Sequence, residues 1–307
     1  ERIFPYYLLF GFLLLVVLLA NIFRQKPLPV FLRKSFYFAI VLLFVVHTAG
    51  IIIRWYISGR APWSNGYESV VYVAWAAMLA GILFGRKYPM VIATAAFLSG
   101  VSLFVAHLNW MNPEITPLVP VLKSYWLTIH VSIITASYGF FGLSAFLGIL
   151  VLILIIIRRN SNEGKVNRFI DQLTTINEMS VTVGLYFLTI GTFLGGVWAN
   201  ESWGRYWGWD PKETWALITI MIYSFIAHMR LIPSLKGVYN YNMASVFGFA
   251  SVLMTYFGVN YFLAGLHSYG KGVADGVHPS VIITFGVIGG LMIWAYLKDM
   301  KYENSRK

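Results

Sequence analysis

About nine separate stretches of roughly 20 apolar residues, the length a helix needs to cross a bilayer, run along the chain, and no other feature limits its fold so tightly. They cover about 5–23, 35–57, 67–85, 88–108, 125–157, 179–199, 212–231, 242–263 and 280–298. Lipid offers no hydrogen-bond partners, so a spanning segment satisfies its backbone internally, as a helix or within a closed barrel. Barrel strands would alternate apolar and polar residues, and these runs do not. The expected fold class is therefore all-α: an integral membrane protein, a polytopic bundle of about nine transmembrane helices. Only 11% of the 307 residues are charged, against about 25% in soluble domains. The lipid bilayer must solvate most of the chain. The fifth run is too long for one perpendicular crossing, so its first turns are expected to tilt or project.

The net charge of +11 does not mark a nucleic-acid binder. The basic residues sit in short strips between apolar runs and form no clustered polar face. Counted over alternate loops, 16 Lys and Arg fall on one side and 7 on the other, with 5 and 7 acids respectively. Positive residues concentrate on the cytoplasmic side, which places the amino terminus outside and the carboxyl terminus inside. The whole excess is then a topology signal. The longest polar segment, 158–178, falls on the inner side, and residues 1–307 are read as a single integral membrane domain without a soluble module. The chain has no cysteine, which removes disulfides, thiolate metal sites and a cysteine nucleophile of its own. Any thiol chemistry must use a partner's thiols. The sequence opens on Glu1, not Met, and a segment upstream of it is expected.

Between the sixth and seventh runs, on the outer side, lies 198–215: Trp198-Ala-Asn-Glu-Ser-Trp203-Gly-Arg205-Tyr-Trp207-Gly-Trp209-Asp210-Pro211-Lys-Glu213-Thr-Trp215. Five of the eleven tryptophans fall here. An aromatic belt accounts for one or two indoles at a helix end and poorly for five in one loop. Gly204 and Gly208 would leave a flat strip if the segment were helical, with Trp203 and Trp207 on one face. Such a surface suits a large planar apolar ligand. Asp210-Pro211-Lys-Glu213 reads as a helix start, with Asp210 as N-cap, Pro211 at the first helical position and Glu213 closing a capping box. Capping is thus the main role expected for Asp210 and Glu213, ahead of chemistry.

The histidines lie at different depths. His130 opens the fifth run on the outer side and His267 follows the eighth, so both flank the tryptophan segment. Boundary-seeking polar residues are the alternative reading for each. Two neutral imidazoles on either side of a tryptophan floor are nevertheless what a six-coordinate haem iron takes from a protein without cysteine. His228 lies some 16 residues along the seventh run, roughly 24 Å deeper, near the inner boundary. His47 is close to mid-membrane. An imidazole inside the bilayer has a purpose or is hydrogen-bonded to a neighbouring helix. His107 and His278 are expected to be interfacial polar residues.

The 198–215 run closely resembles the tryptophan-rich "WWD" signature of haem-handling proteins. The order of external His130, signature, membrane His228 and external His267 resembles the CcsA half of the System II cytochrome c synthase, CcsBA. Pro62-Trp63-Ser-Asn-Gly-Tyr67-Glu68-Ser also resembles an external motif of that half. The resemblance covers nearly the whole chain. It implies cytochrome c biogenesis by a holocytochrome c synthase of haem lyase type: haem b, bound as substrate, moves from the inner side to the external site and is attached through thioether bonds to apocytochrome c at Cys-x-x-Cys-His sites. It further implies a CcsB subunit or fused CcsB half, a thiol reductant system, and a bacterial inner membrane with the active site facing the periplasm, or a thylakoid membrane in a plastid. Carried over by position, His130 and His267 are axial ligands, and Trp203, Trp207, Trp209 and Asp210 form the haem platform with Trp198 beside them. His228 is one of two ligands to haem within the membrane, the second normally belonging to the CcsB half. Arg205 is a propionate partner by charge or a solvated surface residue. Two other readings stand beside this one: a CcmC-type haem exporter or chaperone without ligation, and a membrane b-type cytochrome.

Overall fold

A computed structural model describes residues 1–24, 29–108, 111–117, 124–263, 265 and 279–304. Among them are nine helices long and apolar enough to cross a membrane: α1 (Phe4–Phe23), α2 (Val30–Ser58), α3 (Gly66–Gly85), α4 (Pro89–His107), α5 (Tyr125–Ile157), α6 (Glu163–Trp203), α7 (Pro211–His228, continued by a 3-10 turn to Leu231), α8 (Val238–Phe262) and α9 (Pro279–Asn304). Each matches an apolar run of the sequence, and the chain is an all-α integral membrane protein. Local signals set the helix starts. Pro89 and Pro211 open α4 and α7, where a missing N–H costs nothing. The Asn65 side chain accepts from the Glu68 amide at 2.8 Å to cap α3.

The largest departure from the hydropathy reading is α6. It spans 41 residues, roughly 62 Å, about twice the hydrocarbon thickness. Its first part is the segment expected as an inner polar stretch. Val166, Ile170, Leu173 and Ile176 are buried there, spaced three and four apart along one face. Averaged hydropathy hides this stripe beneath the charges of its other face.

The chain divides into two compact units, Glu1–Leu143 with Thr182–Trp209, and Ser144–Val181 with Asp210–Lys307, so that α5 and α6 each contribute to both. In the first unit α1 crosses α4 at glycines. A Cβ on Gly11 would lie 2.5 Å from the Phe97 amide nitrogen, and one on Gly100 would lie 2.7 Å from that of Leu8. In lipid, helices associate through such close backbone packing. Gly11→Val should therefore lower stability by about 1–3 kcal/mol or more, the cost of overpacking a filled contact. The check is a lowered thermal midpoint in detergent, and an unchanged midpoint would count against this crossing.

The second unit is pinned by polar side chains. Ser144 Oγ donates to Asn177 Oδ1 (2.5 Å), Asn177 Nδ2 donates to Asn242 Oδ1 and to Ser245 Oγ (both 2.9 Å), and Asn242 Nδ2 donates to Thr174 Oγ1 (2.9 Å). These side chains are buried, and a fully satisfied network of this kind specifies one register. α9 is held by Tyr239 Oη donating to the Met292 carbonyl at 3.0 Å, and by Arg158, which pairs with Asp299 at 2.7 Å while lying 3.5 Å over the Tyr302 ring.

Candidate functional site

His130 lies in the second turn of α5 and is almost wholly buried. Its Nδ1–H donates to the Trp126 carbonyl one turn earlier at 3.0 Å. A carbonyl only accepts, so the neutral ring keeps its lone pair on Nε2, the arrangement that orients a metal-binding imidazole. The ring stacks on Trp198 of α6, with centroids 5.3 Å apart and planes 30° from parallel. Glycines on α6 make the approach possible. A Cβ on Gly191 would fall 2.6 Å from Ile134 Cγ1, and one on Gly195 would touch His130 Cδ2 at 3.4 Å.

Trp198 is 2% exposed and supports the imidazole from below. Trp203 packs edge-on against it at 4.7 Å. Here α6 ends: Gly204 has φ +70°, the left-handed conformation that commonly terminates helices. Residues 204–210 are not helical, so Gly204 and Gly208 form no helical strip and Trp203 and Trp207 share no helix face. Instead Trp207 meets Trp209 edge-on at 5.7 Å, and Gly208 leaves room for the Arg205 guanidinium, whose Nη1 would lie 1.9 Å from a Cβ there. Trp209 has φ +57°, a left-handed backbone that strains a bulky residue by about 1–3 kcal/mol. Its side chain is 69% exposed.

In the second unit Asp210 is buried and begins α7 as the sequence indicates. Its Oδ1 accepts from the Lys212 amide at 2.9 Å, its own amide donates to Glu213 Oε2 at 3.3 Å, and the capping box is complete. A Cβ on Gly265 would lie 2.4 Å from Asp210 Oδ2 and 2.8 Å from Pro211 Cδ, so a larger residue there would have to displace the start of α7. α8 contains a π-helical turn at Met254–Gly258, where Thr255 donates to the Trp215 carbonyl at 3.2 Å. Such turns recur at functional sites. No sequence periodicity betrays it.

His228 is the last residue of α7 and is exposed. It repeats the device of His130: Nδ1–H donates to the Ser224 carbonyl at 2.7 Å, leaving the Nε2 lone pair outward. His47 is 4% exposed and packs edge-on against Tyr7 at 6.0 Å. His107 is exposed and lies against Phe4 at 5.1 Å. His267 and His278 lie outside the described residues.

Sequence reasoning missed the support around Glu68. Its buried carboxylate binds Arg54 Nε at 3.0 Å, Arg60 Nη1 at 2.9 Å and the Ser64 amide at 2.9 Å. Breaking a buried pair of this kind costs about 3–5 kcal/mol. The neighbouring Trp63 donates its indole N–H to the Thr128 carbonyl at 3.0 Å. The motif at 62–69 was visible in the sequence, but its partner 65 residues away was not.

Residues 63–267 match the family described as Cytochrome C assembly protein. The chain is 50% identical over 268 residues to Protein NrfI of Wolinella succinogenes, an alignment covering 87% of this chain and 30% of NrfI. It is 37% identical over 259 residues to the cytochrome c biogenesis protein CcsA of Prochlorococcus marinus strain MIT 9303, covering 74% of this chain and 81% of that one. CcsA of Chlamydomonas reinhardtii is 37% identical over 227 residues, 72% of this chain and 64% of its own length. The chain thus spans about a third of NrfI and most of the cyanobacterial CcsA.

Proposed function

This chain belongs to the cytochrome c assembly protein family, and we propose that its part in cytochrome c biogenesis is to receive haem b as substrate, hold it at the tryptophan segment and attach it to an apocytochrome c. The observation that carries this reading is His130, buried on Trp198, with its tautomer fixed by the Trp126 carbonyl. His130 supplies one axial ligand and His267 the other, while Trp203, Trp207 and Trp209 carry the macrocycle. Asp210 serves the platform by fixing the start of α7, and Arg205 faces a propionate. His228 ligates haem at an earlier station within the membrane, its second ligand coming from a CcsB subunit or fused half.

In the attachment step each acceptor thiol adds across one haem vinyl group. Sulfur bonds to one vinyl carbon and the proton goes to the other, with no net change of oxidation state. This chain has no cysteine, so both sulfurs come from the Cys-x-x-Cys-His segment, kept reduced by a thiol reductant system. Orientation is the protein's contribution: the histidine of that segment displaces one axial imidazole and brings the thiols beside the vinyls. The site faces the periplasm in a bacterial inner membrane, or belongs to a thylakoid membrane in a plastid.

Co-expression of the complete protein and its CcsB partner with an apocytochrome c, followed by haem staining on a denaturing gel, tests the reading. The expected result is covalent haem on the acceptor that depends on this chain. A haem-loaded protein that transfers none would reject ligation and support CcmC-type export. Spectra that respond only to substitutions within the bilayer would support a b-type cytochrome.

A further inference from the structure

We propose that Trp63 is a positioning residue for His130, acting through the backbone of α5, and that Glu68 holds Trp63 ready for that task. The inference rests on His130 being a haem ligand. His130 sits in the second turn of a helix whose first turn meets the outer boundary, where helix ends fray. Thr128, two residues earlier, accepts the Trp63 indole N–H at 3.0 Å. Within one helical turn a displaced carbonyl carries the following side chain with it, so this bond fixes the height and rotation at which His130 leaves α5.

Trp63 is itself constrained from three directions. Its carbonyl accepts from Ser69 Oγ at 3.2 Å. Its ring packs against Trp55 and Tyr72, with centroids 5.5 and 4.8 Å away. The loop bearing it is clamped by Glu68, whose two oxygens take Arg54 from the end of α2, Arg60 from the loop and the Ser64 amide beside Trp63. Arg54 also donates to the Pro113 carbonyl at 2.9 Å, tying in the segment after α4. A buried carboxylate shared by two guanidiniums is a rigid anchor. The tryptophan is thus a rigid arm, and its indole N–H is spent on the helix that bears the imidazole. The same turn receives a tether from the signature itself, Ser124 Oγ donating to Glu201 Oε2 at 3.0 Å.

Trp63→Phe keeps the ring and deletes the donor. In the complete protein co-expressed with its CcsB partner, it should accumulate normally, shift the Soret band of the haem-loaded form and reduce holocytochrome yield about 10-fold, the scale on which loss of an outer partner or a small misplacement acts. Added imidazole, which is not tethered to the α5 backbone, should restore yield. In the His130→Ala background, Trp63→Phe should cause no further loss. A normal yield and spectrum, a loss that imidazole does not relieve, or a loss that multiplies with His130→Ala would overturn the proposal. Should Trp63→Phe fail to accumulate, Trp63→Tyr, which also removes the indole N–H while keeping an aromatic ring with a polar tip and leaving the Glu68 ion pairs in place, carries the same test with the same pattern expected. If His130→Ala alone leaves spectrum and yield intact, the ligand assignment itself has failed. If His130 matters and Trp63 does not, only the positioning role has failed.

Discussion

Replacing His130 with alanine should cut covalent haem attachment by at least about 10-fold, the scale on which even outer-sphere changes act at metal sites, and added imidazole should restore most of it. The rescue follows from what the substitution leaves behind. Alanine opens a space shaped for an imidazole ring, floored by Trp198 and still facing the Trp126 carbonyl. A free imidazole that stacks on that floor and donates to that carbonyl presents its lone pair where Nε2 stood. The measurement is holocytochrome yield by haem-stained gel, with and without imidazole. Full activity of His130→Ala in the absence of imidazole would remove the residue from the ligand set.

The second large effect is expected at His228. His228 is an exposed imidazole at the end of a membrane-spanning helix. Its Nδ1–H is already committed to the Ser224 carbonyl, so the outward nitrogen is an acceptor suited to iron. On the proposed function, His228→Ala should deprive the purified complex of most of the haem held within the membrane, read as Soret absorbance per protein. Because the replaced side chain is exposed, folding should be little changed. Unchanged haem content and spectrum would reject the assignment.

Much of this architecture was legible in the sequence, for reasons that differ by element. The membrane helices follow from lengths that lipid imposes. The start of α7 follows from local chemistry, since Asp210, Pro211 and Glu213 satisfy one another within four residues. What escaped depends on distant partners or on backbone geometry. The first turns of α6 carry enough charge to resemble a loop, and only burial of Val166, Ile170, Leu173 and Ile176 against other helices reveals them. The seat of His130 needs Gly191 and Gly195 on another helix, and glycine spacing alone does not say what it faces. The tryptophans were visible as a cluster, but their roles separate only in three dimensions: Trp198 is sealed beneath an imidazole while Trp209 stands in the open. The π-turn of α8 leaves no mark on composition at all.

Trp209 also bears on how this protein is to be engineered. Glycine, and to a lesser degree asparagine, accepts its left-handed backbone without the penalty a tryptophan carries. Directed evolution scored on heat resistance or expression alone will therefore favour losing the most solvent-exposed indole of the segment, gaining robustness while dismantling what is, on the proposed function, part of the haem platform. For this chain a rising melting temperature is a poor surrogate for function, and libraries should hold that one codon fixed.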